Sequence, residues 1–123
     1  MSAITRHGTH PRLPVSNAVE ANGWLYVTGQ VPRDAKGELN AGSMIDQARL
    51  TLTNLVTVIT NSGYEMEDVV RVGVWIDDPR DFAEFNKVYA EFFNKDCPAR
   101  SCFAVKDLPL GVLIEVEAIA CKK

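Results

Sequence analysis

The chain has 123 residues, 46% of them apolar and 24% charged, with a formal net charge of −3. A chain of that length fits one domain, residues 1–123, and buries roughly two-thirds of the surface it exposes when unfolded, so disorder is excluded. Acids and bases are interspersed and leave no basic field for phosphate backbones or anionic lipid, so neither nucleic acid nor membrane is expected as a partner.

The opening MSAITRHGTHPRLP lacks the apolar centre of a signal peptide, and no later stretch supplies the ~18 apolar residues of a spanning helix. A cytoplasmic location is expected. Cys97, Cys102 and Cys121 form no CxxC and have no histidine nearby, so reduced thiols are expected and no metal is implied. His7 and His10 fall in a Gly/Pro-punctuated opening segment, read as a loop that leaves both solvated.

Asn17 to Gln30 reads as two short strands, because Asn22-Gly23 is a strong hairpin signal and Trp24 to Thr28 is rich in strand formers. Val31 to Glu38 is turn chemistry. From Ser43 the period changes. Ile45, Ala48, Leu52, Leu55 and Ile59 recur at three- and four-residue steps, predicting a helix over 43–60 with Ser43 as N-cap and Asn61-Ser62-Gly63 as its stop.

Asp68 to Asp77 alternates as a central strand, with Val70, Val72, Val74 and Ile76 predicted to face the helices. A second helix follows near Asp81 to Asn94, and its stripe of Phe82, Phe85, Val88, Tyr89, Phe92 and Phe93 is read as core. Arg100 to Lys106, in a run that reads as a buried strand, and Val112 to Cys121 close the chain. The order β-β-α-β-α-β-β predicts an α+β fold of two layers, a sheet packed by two helices. Its second sheet face stays too apolar to remain wet, which predicts a closed symmetric homo-oligomer.

Arg100 and Cys102 point the same way along their strand, while Glu115 and Glu117 interrupt the second face of the last one. Two readings of Arg100 follow from spacing: it pairs with Glu115 or Glu117 to satisfy a charge at an oligomer interface, or its planar fork awaits a ligand carboxylate. A guanidinium beside Cys102 would also lower that thiol's pKa, yet no histidine base accompanies it, so the cysteine is read as a small packed residue.

The blocks PARSCFAV…LPLGVLIEVEAIA, WLYVTGQVP, FAEFNKVYAEFF and QARLTLTNLVTVITNSG together resemble the Rid (YjgF-type) family of reactive-intermediate deaminases, over nearly the whole chain. The resemblance implies a chorismate-mutase-like homotrimer with a central β-barrel and clefts between subunits. It implies hydrolysis of reactive 2-imino acids and 2-enamines, such as 2-aminoacrylate or 2-iminobutanoate, to 2-oxo acids and ammonia, without a cofactor. By position, Arg100 matches the arginine that holds the substrate carboxylate and Glu115 the glutamate associated with the attacking water. Cys102, Gly29 and Thr28 line the same pocket, and Asn86 matches an asparagine read as supporting it. Where many members carry Gly-Pro-Tyr with the tyrosine facing the ligand, this chain has Leu13-Pro14-Val15, which implies a pocket wall without the phenol hydroxyl. The alternative in a different class is a trimer that binds small carboxylates without turning them over.

Overall fold

Six strands form one mixed sheet in the computed structural model, which describes residues 4–122. The strands are β1 (Ile4–Thr9), β2 (Ser16–Ala21), β3 (Trp24–Gln30), β4 (Val69–Ile76), β5 (Ala99–Ala104) and β6 (Ile114–Cys121), in the spatial order β1-β2-β3-β6-β4-β5. Every pairing is antiparallel except β4 with β5. Two helices, α1 (Met44–Asn61) and α2 (Phe82–Phe92), cover one face, giving the α+β fold expected.

The hairpin turns at Asn22-Gly23, both with positive φ (53° and 85°), the geometry a tight two-residue connection requires. Ser43 caps α1, its side chain accepting from the Asp46 N–H at 3.3 Å, and Gly63 (φ 84°) ends the helix as its missing Cβ allows. Leu52, Leu55, Ile59 and Phe85 are fully buried against Leu25, Val72, Val74, Ile114 and Val116. Each such side chain contributes about 1.5–3 kcal/mol by leaving water.

Four expectations need correction. The opening segment is not all loop: Ile4–Thr9 pair with β2 as an edge strand, and His7 is held by Glu20 at 3.0 Å. Val70 is exposed and Val69 buried, because the register between β4 and β6 shifts at Val69/Arg71, turning the first residues of the strand over. Ile45 is exposed, and Met44 takes the buried place at the head of α1. The strand carrying Arg100 lies at the sheet edge, so Phe103 is 57% exposed rather than buried.

The uncovered face carries Trp24, Tyr26 and Phe103, all exposed, with half-buried Trp75 and Ile119 among them. Gln47, buried in α1, donates to Gly42 O (3.1 Å) and accepts from Leu113 N (2.9 Å), fixing the start of β6 against the helix. No described helix is long and apolar enough to cross a membrane.

Candidate functional site

Strand alternation decides what Arg100 can meet. In the parallel pairing Arg100 lies beside Val72 and Cys102 beside Val74, so both share the helix-covered face. Glu115 pairs with Trp75 and Glu117 with Gly73, on the uncovered face. Arg100 and Glu115 of one chain are therefore on opposite sides of its own sheet. Among the described residues the Arg100 side chain has no hydrogen bond and no carboxylate within ion-pair distance, so it makes no ion pair with Glu115 or Glu117 of its own chain, and the interface pairing requires a second copy.

What Arg100 does have is an aromatic shelf. Its guanidinium carbon lies 4.6 Å from the Tyr89 ring centroid, 5.4 Å from Phe85 and 5.8 Å from Phe82, distances at which the ring quadrupole attracts a cation. Tyr89 in turn stacks on Phe93, with centroids 4.7 Å apart. The stripe read purely as core thus also carries the cation, and Phe82 at its head is exposed rather than buried, because it opens the helix at the sheet edge beside Arg100. Its signal was the spacing of Phe82, Phe85 and Tyr89, which places three rings on one helix flank. Burial pushes the Tyr89 hydroxyl up to about 12 against the opposing charge of Arg100, and that hydroxyl is buried without a partner. Asn86, half-buried, lies one turn beyond Phe82 on the same helix.

The thiol of Cys102 is raised, not lowered: burial outweighs the nearby guanidinium. A raised thiol pKa argues against an activated cysteine and suits a small wall residue.

The second cluster forms around a bulge. β3 pairs Val27 with Ala118 but Gln30 with Val116, so one extra residue is accommodated at Thr28-Gly29. The bulge aims Gly29 at Glu115, and a Cβ there would collide with Glu115 Oε2. Thr28 Oγ1 donates to Ser16 O at 2.6 Å, which ties Val15 to the same corner. Thr28, Gly29 and Glu115 thus share one corner of the sheet, with Val15 next in sequence to the bonded Ser16. Burial raises the Glu115 carboxyl above its ordinary value, and the neighbouring Glu117 raises it further.

One protomer thus presents two halves: an unpaired cation with a small thiol at one sheet edge, and a proton-accepting carboxylate beside a glycine on the other face. The first can grip a carboxylate, and the second can orient and deprotonate a water.

The sequence matches the family model described as Endoribonuclease L-PSP over residues 5–122. RutC family protein PH0854 of Pyrococcus horikoshii is 42% identical over 121 residues, 98% of this chain and 96% of its own length. Among solved structures, yeast Mmf1 superposes with a TM-score of 0.90 at 35% identity, covering 98% of this chain and 99% of that one. TdcF of E. coli, solved with bound serine, superposes with a TM-score of 0.84 at 33% identity, covering 96% and 93%.

Proposed function

The chain belongs to the Endoribonuclease L-PSP family, whose members also carry the names RutC, YjgF and Rid, and we propose that it hydrolyses reactive 2-imino acids and their 2-enamine tautomers to 2-oxo acids and ammonia. The observation that carries this reading is the Arg100 guanidinium, held on three aromatic rings with no carboxylate of its own. Such a fork suits a small organic acid. TdcF, with serine bound, is a relative that holds an amino acid, which carries a carboxylate.

The proposed site is completed by a second copy. Arg100 and Glu115 face opposite ways in one sheet, so one substrate meets both only when the Arg100 edge of one protomer lies against the uncovered face of its neighbour. Three copies arranged head to tail would bury Trp24, Tyr26 and the rest of that face in a central barrel and create three equivalent clefts. Exposed apolar side chains on that face support such burial.

In that cleft the substrate carboxylate pairs with Arg100, which fixes the adjacent C=N carbon beside a water hydrogen-bonded to Glu115 of the neighbour. Glu115 accepts a proton as the water oxygen bonds to that carbon, and the C=N pair moves to nitrogen. The proton passes to nitrogen to give the carbinolamine; its hydroxyl proton then moves to nitrogen as the C–N bond breaks and the oxygen lone pair closes the C=O, so ammonia leaves and a 2-oxo acid remains. A raised carboxyl pKa brings the base closer to neutral, where it transfers protons most effectively. Imines of this kind hydrolyse unaided in water, so a site of a few groups is sufficient.

The test is a coupled assay in which 2-aminoacrylate or 2-iminobutanoate is generated in situ and its loss followed. Wild type is expected to accelerate that loss, while Arg100→Ala and Glu115→Gln fall to the buffer rate. A wild type no faster than buffer across several imino acids would overturn the reading. Val15, standing where many members have tyrosine, favours a second reading: a carboxylate-binding trimer without turnover. Arg100-dependent binding of 2-oxo acids by a protein inactive in that assay would select it.

A further inference from the structure

A cavity of about 480 Å³ lies against α1, between the β1–β2 turn and the segment 30–37. Its lining includes neither Arg100 nor Glu115. It is in the size range of small-molecule sites, about 300–1,000 Å³, and its charge is out of keeping with an acidic chain. Arg12, Arg33 and Lys36 line it, and Asp34 is the one acid among the lining residues. Asp34 is already engaged: its Oδ1 accepts from the Lys36 and Glu38 backbone N–H groups at 2.9 and 3.0 Å, closing the turn.

The two guanidiniums converge on a neutral atom. Arg33 Nη1 donates to Gly37 O at 2.9 Å, and Arg12 Nη1 reaches the same oxygen at 3.4 Å. Among the described residues none of the three cations has a carboxylate within ion-pair distance. Arg33 Nε is buried with no acceptor. Like charges brought together repel, and a buried charged donor without an acceptor is costly, so this arrangement is stabilised by an anion.

The cradle is built in advance. Asn54 of α1 clamps the backbone by donating to Val31 O (3.0 Å) and Arg33 O (2.8 Å). Gly37 turns with φ 83°, and a Cβ there would lie 3.4 Å from Arg12 Nη2. On the other wall His10 Nδ1 accepts from the Arg12 and Leu13 N–H groups, both at 3.0 Å, so the neutral ring carries its proton on Nε2 as a further donor.

We propose that this cavity binds the phosphate group of a small phosphomonoester, held between Arg12 and Arg33 with Lys36 beside them. A monocarboxylate would leave two of the three cations uncompensated, whereas a phosphate dianion supplies both the charge and the oxygens for two forks. The organic part lies toward Asn17, Asn54 and Thr57, whose amides and hydroxyl suit a polar carbon skeleton.

The test is isothermal titration of the full chain at low ionic strength with ribose 5-phosphate and, separately, inorganic phosphate. Ribose 5-phosphate is expected to saturate one site per chain. Arg12→Ala, at an exposed position that the fold tolerates, should weaken it about tenfold or more, and Lys36→Gln by a few-fold. Arg100→Ala should leave it unchanged. Circular dichroism checks that each variant is folded. Absence of saturable binding, unaltered affinity in Arg12→Ala, or loss of binding in Arg100→Ala would each overturn the proposal. Equal affinity for inorganic phosphate would overturn the ester assignment, and tighter binding of a short oligoribonucleotide would assign the groove to nucleic acid instead.

Discussion

The two faces of the sheet differ in what they need. On the helix-covered face, Leu25, Val72, Val74, Ile114 and Val116 find all their partners within one chain, and α1 and α2 close over them. On the other, Trp24, Tyr26 and Phe103 remain exposed, and Glu115 is left with a raised pKa beside Glu117 and, among the described residues, without a cation. The first face specifies the fold, and the second is the one the proposed neighbour would cover. Arg100 sits on the first face yet lies at the sheet edge, on an aromatic shelf, where the proposed site would bring it to the second face of a neighbour.

Breaking the covered face has the largest expected effect. Phe85 is fully buried and supports Arg100, so Phe85→Ala should cost about 3–5 kcal/mol of stability, read from denaturant melts, and lower affinity for 2-oxo acids as well. Next comes the corner at Gly29. A Cβ there meets the movable end of Glu115 rather than backbone, so Gly29→Ala should fold normally while kcat falls about ten- to a hundredfold, as the base is pushed off its water. A loss of stability without loss of turnover would contradict that assignment.

A smaller effect concerns Glu115 itself. Its folded pKa is raised, so the ionised form costs stability that grows as pH rises through the unfolded value. Glu115→Gln should therefore keep or raise Tm at neutral pH while abolishing turnover. The smallest change is at Glu117, whose charge helps to raise Glu115. Since the base must be ionised, kcat/KM should fall as pH drops through the Glu115 pKa, and Glu117→Gln should move that acid limb to lower pH. A limb that stays put would remove Glu115 from the role of base.

Much of this comparison was legible in the sequence, and the failures have physical causes. Period-two alternation found the buried side of β6, and Ser43 and Gly63 marked the ends of α1, because capping and burial are local. Alternation failed at Val69/Arg71, where a bulge turns the strand over without any glycine or proline to announce it. It failed again at β1, whose ITRHGT has Ile4 as its one large apolar residue and so shows no apolar face, and which is a strand because β2 offers an open edge. Arg100 and Glu115 were found through family blocks; spacing alone left Arg100 between two fates, since nothing local says on which face a distant strand will set a carboxylate. The Tyr89 shelf was hidden because the same rings satisfy a core stripe.

The central claim, that Arg100 of one protomer and Glu115 of another form one site, is tested most directly by subunit mixing. Arg100→Ala and Glu115→Gln, each inactive alone, are co-unfolded in equal amounts, refolded together and assayed for imine hydrolysis. In a closed trimer with random assortment, about a quarter of the clefts regain both groups, so about a quarter of wild-type activity should return. Activity that stays at the buffer rate in mixtures shown to have exchanged subunits would contradict the account.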